Sequence, residues 1–231
     1  MRSSHTILAS ALSVALAIPA LGQGSFQNLD FESAQLPVVP SGQPGADASV
    51  ASALPGWHVF IGTDEFSAVR HNNPTIGSAA ITILGPDYGY TLQGSFTPVL
   101  QAGRAPSGTG LNTSVAIAQS GFVPADARSM TFITGPFSHD FTVSFGANVL
   151  SCHLLSASSA SRLYGVDVSL LAGQFGELRF TSLIPALVPF NNLYLDQIGF
   201  SAQPIPEPDV LSLLCIGAAL ARWHLLRGCR G

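Results

Sequence analysis

The sequence predicts an all-β sandwich or barrel, on three observations. Short alternating segments recur from residue 25 to residue 201, and Gly (23) and Pro (16) punctuate them. The one segment with a helical look, Asp167 to Gly173, is short and ends at glycine. With 47% hydrophobic and only 10% charged residues, the chain is too apolar for disorder and too often interrupted for long helices. A length of 231 residues suits one domain of ordinary size plus sorting segments at its ends.

In chain order the expected strands are "SFQNLDFES", "GWHVFIG", "SAAITIL", "YTLQGSF", "SVAIAQSGF", "SMTFIT", "FTVSFGANVL", "YGVDVSLL", "GELRFTSL" and "NLYLDQIGFS". The second follows a Pro-Gly turn. In "GELRFTSL", Leu178, Phe180 and Ser182 share one face and Arg179 and Thr181 the other, the period of a half-buried strand. In "NLYLDQIGFS", Asp196 has the parity of Ile198 and Phe200 and is expected to point inward with them. Residues 35–53 and 99–113 are low in complexity; the second contains "QAGRAPSGTG" and is expected to be a surface loop.

The two ends differ from this body. Residues 1–22 run from Arg2 through an apolar stretch to the small residues of "ALG", the order of a secretory signal peptide, which defines a body of residues 23–203. Residues 204–231 hold Pro206, Glu207 and Pro208, an apolar run from Val210 to Ala221, and then Arg222, Arg227 and Arg230. Twelve helical residues reach only about 18 Å of a bilayer core near 30 Å, so the span must extend to Leu226 with Arg222 snorkelling. Arg227 and Arg230 then sit on the cytoplasmic side, consistent with an exported body.

Charge excludes several functions. The net charge is -4, no lysine occurs, and the body's five arginines (Arg70, Arg104, Arg128, Arg162, Arg179) are scattered singly. No basic stripe exists for nucleic acid, and chemistry that needs a lysine is excluded. Cys152 stands alone in the body, so no disulfide forms within it, and the simplest expectation is a buried small apolar residue.

The tail resembles the PEP-CTERM sorting signal of Gram-negative bacteria, a region also labelled an ice-binding protein C-terminal domain. The resemblance covers about the last 26 residues, with Arg222 falling early in the apolar run. It implies processing by an exosortase, a membrane cysteine protease, and association with extracellular polysaccharide or biofilm matrix. The phrases "NLDFES", "LPGW", "AIAQSGFVPADARSMTF", "LYGVDVSLLAGQFGELRFTS" and "LYLDQIGFS" make the body similar to galactose-binding-like jelly rolls, including DUF642-type proteins and carbohydrate-binding modules. The expected fold is therefore a single jelly-roll-like sandwich flanked by a signal helix and a C-terminal transmembrane helix.

That second resemblance implies that the first and last strands lie side by side and hold a structural Ca²⁺ between Glu32 and Asp196, hard carboxylates being suited to that ion. The opposing expectation is that Glu32 is solvated and Asp196 accepts backbone hydrogen bonds. Aromatic faces for sugars come from Trp57 and from Tyr88 and Tyr90 in "GPDYGY", although a sandwich aromatic after a Pro-Gly turn, such as Trp57, is more often core. His139 beside Asp140 is weak as a catalytic sign, and no Gly-x-Ser-x-Gly elbow or metal-type histidine spacing occurs.

The expected protein is exported and non-catalytic, anchored transiently in the inner membrane, and delivered to the outer surface or matrix, where it binds polysaccharide. A polysaccharide-active enzyme of the same fold and a protein-binding adhesin are the alternatives.

Overall fold

The computed structural model describes residues 25–75, 77–106, 108, 110–185 and 188–205. The expected signal peptide and the tail residues Pro206, Glu207, Pro208, Arg222, Arg227 and Arg230 lie outside them. Among the described residues no helix is long and apolar enough to cross a membrane.

The strands β1 (Ala48–Ser49), β2 (His58–Ile61), β3 (Asp64–Phe66), β4 (Ala68–His71) and β5 (Ala80–Leu84) come first, with a single helical turn, α1 (Val50–Ala53), after β1. The longer β6 (Thr97–Arg104) and the two-residue β7 (Asn112–Thr113) lead to β8 (Val115–Phe122), β9 (Ser129–Thr134), β10 (Phe141–Phe145) and β11 (Asn148–Leu150). Then come β12 (Cys152–Ala157), β13 (Arg162–Asp167), β14 (Phe175–Ser182) and β15 (Asn191–Ser201).

These strands make two sheets, an all-β sandwich as expected. The larger has the order β1-β4-β5-β6-β15-β9-β13-β12 with β7 beside β6, and the smaller β11-β10-β14-β8-β2-β3. From β8 onward the chain repeatedly crosses between sheets, so neighbours within a sheet are distant in sequence except in the hairpins β10-β11 and β12-β13. Pairing is antiparallel except between β4 and β5.

One core fills the space between the sheets. Phe132 and Phe180 meet edge to face at 5.2 Å, Trp57 joins Phe180 at 6.4 Å and Phe31 at 5.6 Å, and Ile117, Leu100 and Leu193 surround them. In β14 the alternation is as read: Leu178, Phe180 and Ser182 are buried, while Arg179 lies on the outer face, 4.1 Å over the Phe60 ring and bonded to Glu177 at 2.8 Å.

Four expectations need correction. "SFQNLDFES" is a bridge and a turn rather than a strand, because Asn28 (φ 49) and Phe31 (φ 61) leave the extended region. "YTLQGSF" is part of a loop, and Val99–Arg104, expected to be loop, is the heart of β6 between β5 and β15. Cys152 is only half-buried, on edge strand β12, where burial still pushes its thiol up to about 11.

Candidate functional site

The segment 85–96 between β5 and β6 lies over the outer face of the larger sheet, and local chemistry fixes both of its ends. At the start, the Gly85 N–H donates to Asn72 Oδ1 at 2.7 Å, and a 3-10 turn at Pro86–Tyr88 closes with Tyr88 N–H on Gly85 O at 3.0 Å. Gly89 stops that turn at φ 82, a left-handed conformation glycine adopts without strain. At the end, the Thr91 hydroxyl donates to Gly94 O at 3.1 Å and the Leu92 N–H to Thr97 Oγ1 at 2.9 Å.

Two carboxylates clasp this loop from beneath. Glu32 accepts from the Ser95 N–H with both oxygens (2.9 and 3.0 Å) and from the Phe96 N–H (3.0 Å). Asp196 Oδ2 accepts from the Gln93 N–H (3.0 Å) and the Thr97 hydroxyl (2.9 Å), and Oδ1 from the Gln197 N–H (2.8 Å). The segment carrying Glu32 runs beside the last strand through Ile198 N–H on Leu29 O (2.9 Å) and the stacked rings of Phe26 and Phe200. Glu32 and Asp196 thus both hold segment 93–97, and the first of the two segments that carry them is a turn rather than the expected strand.

Asp196 is buried, 1% exposed, but not by pointing into the core as its parity suggested. Leu193 and Leu195 face the core; a bulge between Asp196 and Gly199, with Gln197 at φ 46, then shifts the parity so that Ile198 faces the core as well. Asp196 stands on the opposite face with Tyr194, beneath the loop. Burial there pushes its carboxyl up to about 6; the Thr97, Gln197 and Gln93 hydrogen bonds oppose the shift, and the charge of Glu32 adds to it.

The pair meets part of what a divalent cation needs. Two negative charges share one loop, and among the described residues neither carboxylate has an ion-pair partner. A carboxylate offers about four lone-pair positions and N–H or O–H donors use three on each, so roughly one oxygen position per residue is left for a metal. No group of three or more His, Cys, Asp or Glu able to hold a metal forms among the described residues, so the remaining oxygens of a six- to eight-fold shell would come from backbone carbonyls, side-chain amides or water.

The loop presents Tyr88 (40% exposed) and Tyr90 (39% exposed) to solvent. Tyr90 packs edge-on against Tyr194 at 5.6 Å, and the Tyr194 ring lies over Gly135, where a Cβ would stand 3.0 Å from the ring. Tyr194 was missed by sequence reasoning, yet its place two residues before Asp196 puts it on the same face and was the available signal. Trp57, by contrast, is 3% exposed and offers no face to a ligand, because its ring is enclosed by Phe31 and Phe180 and its Nε1–H donates to Asn28 O at 3.0 Å.

His139 is exposed in the loop between β9 and β10, with Nδ1 3.4 Å from Arg162 Nη1, and its ring makes no hydrogen bond to Asp140. Another histidine escaped the sequence analysis as a structural element. His71 is buried with Nδ1 unpartnered, its ring against Gly45 and Gly85, and burial lowers its pKa while the charge of Asp87 opposes this.

No protein-family model matches the chain, and no curated protein matches it. Among solved structures the chain is similar to the enzymatically active domain of tailspike protein 4 of bacteriophage CBA120, at 14% identity and a TM-score of 0.36. That alignment covers 63% of this chain and 19% of the other, so the chain spans about a fifth of that structure's length.

Proposed function

We propose that this chain is an exported, non-catalytic surface or matrix protein that contacts extracellular polysaccharide through Tyr88 and Tyr90. One observation carries the reading: two half-exposed tyrosines sit on a loop whose backbone is tied to the sheet by Glu32, Asp196 and Asn72. Pre-ordered aromatic faces bind at low entropic cost, which suits stacking on sugar rings. The jelly-roll-like, galactose-binding-like fold, the signal peptide at residues 1–22 and the exosortase-read tail at residues 204–231 belong to the same proposal. In it the chain passes through the inner membrane of a Gram-negative bacterium to the outer surface or matrix.

The test is retention of purified chain on a glycan array, with turnover measured in parallel. Tyr88→Ala is expected to weaken retention about tenfold, the effect of roughly 1.4 kcal/mol lost from one aromatic contact, with no sugar released by either protein. Unchanged retention removes Tyr88 from the proposal, and release of oligosaccharide by the wild type replaces it with an enzyme.

A structural Ca²⁺ at Glu32 and Asp196 completes the proposal, and its chemistry would be neutralisation of the paired charge. Millimolar Ca²⁺ is expected to raise the melting midpoint and chelator to lower it, by about 2.7 kcal/mol of stability at a concentration 100 times the dissociation constant. A midpoint indifferent to both leaves the clasp as a metal-free hydrogen-bonding device.

A further inference from the structure

One end of the sandwich carries an apolar patch. Leu170 is 88% exposed; the Gln174 side chain donates to its carbonyl at 2.6 Å, and the adjacent Phe175 meets Phe122 edge-on at 5.0 Å with both residues about half open to solvent. Ser25, the first described residue, bridges to Phe122 at this end.

The last described residues leave from the same end. Ser169 and Ala172, which flank the Leu170 turn, and the segment Ala202–Pro204 line one recess of about 910 Å³ that also holds Asp126, Arg128 and Asp167. The Ser129 hydroxyl donates to Gln203 O at 2.7 Å, and Ile205 then packs with Leu155 over Gly165. Only four residues, Pro206 to Asp209, separate Ile205 from the apolar run beginning at Val210. Five backbone steps of at most about 3.6 Å span roughly 18 Å, so a membrane entered at Val210 lies within that distance of Ile205, which packs two residues in from the Asp167 end of β13.

We propose that the end formed by Phe122, Leu170 and Phe175 rests on the bilayer that the tail enters. This rests on the tail's reading as lipid-entering. The contact orients the molecule: Tyr194 lies seven residues before Ser201 on β15, about 23 Å away at 3.3 Å per residue, so the Tyr88 and Tyr90 surface faces away from the membrane. Large apolar side chains beside a short tether favour the headgroup boundary. Asp126 and Asp167 outnumber Arg128 in the adjoining recess, which points to zwitterionic rather than anionic headgroups.

The test uses the chain from Gln23 to Gly231 with Cys215→Ser and Cys229→Ser, carrying a fluorophore at either Leu170→Cys or Phe137→Cys. Cys152 stays in place because its thiol is half-buried and pushed up to about 11, which slows its labelling at neutral pH. Phe137 is 81% exposed just beyond the opposite end of β9, about 20 Å from Ser129. In phosphatidylcholine vesicles with nitroxide-bearing acyl chains, severalfold stronger quenching at position 170 than at 137 is expected. Equal quenching in a chain that floats with the vesicles overturns the orientation and leaves the tail reading standing. A chain that does not float removes the tail reading and this inference with it. A position-170 label shielded in lipid-free, self-associated protein overturns the inference in favour of a second copy of the chain.

Discussion

Replacing Asp196 with alanine should destabilise the protein by about 3–5 kcal/mol near pH 4.5, and by less at pH 7.5. The lower-pH figure comes from three donors, the Gln93 and Gln197 N–H groups in part-buried bonds and the Thr97 hydroxyl in a buried one, which lose their acceptor at about 1–3 kcal/mol each, with some relaxation. For a domain of this size that is a fall of roughly 10 °C in the melting midpoint.

The pH dependence follows from linkage. The Asp196 carboxyl stands at about 6 in the folded chain against 3.8 when exposed, so it binds a proton more tightly when folded. Its favourable contribution is complete below about pH 4 and is lost as pH rises through 6. The difference amounts to roughly 3 kcal/mol at 1.36 kcal/mol per pK unit. Removing Asp196 should therefore cost up to that much less at pH 7.5. Urea unfolding of both proteins at the two pH values measures this, and the opposite trend from His71, destabilised by acid because burial lowers its pKa, is common to both and cancels. A cost that grows with pH would mean that the ionised carboxylate is the stabilising form, and repeating the pair of measurements with chelator would show whether a cation makes it so.

The sandwich and its core were readable in the sequence where strand periodicity is undisturbed, as in "GELRFTSL", whose inward residues are the buried ones. It failed where small residues imitate a loop. Gly103 in β6 is glycine because the strand passes close to another segment: a Cβ there would stand 2.7 Å from Gly77 O. The bulge after Asp196 has no local signature either, since Gln197 is an ordinary residue in a left-handed conformation, and one unpaired residue reverses every parity argument across it. The resemblance singled out Glu32 and Asp196 as a pair. What resemblance left unstated is that both carboxylates grip the backbone of a third segment, 93–97, whose N–H groups no side-chain pattern announces.

Trp57→Ala should have an effect of similar size through different physics. The indole is 3% exposed, lies 5.6 Å from Phe31 and 6.4 Å from Phe180, and donates its N–H to Asn28 O at 3.0 Å. Truncating a buried Trp removes its transfer free energy and leaves a cavity the rigid sheets cannot close, at about 3–5 kcal/mol. Trp57→Phe keeps most of the apolar area and loses chiefly the hydrogen bond, at about 1 kcal/mol. The damage also has a direction. Asn28 O takes both the indole N–H and the Phe31 N–H, and Asn28 Oδ1 takes the Ser33 N–H, so the turn that carries Glu32 is pinned by Trp57. Losing the ring should loosen that turn before the sheets, visible as faster amide exchange at Ser95 and Phe96, whose N–H groups Glu32 holds. Glycan retention per folded molecule should fall only to the extent that the loop does. Retention abolished by Trp57→Ala in a protein with unchanged melting midpoint and unchanged exchange would instead make the indole a ligand platform, contrary to its position in the core.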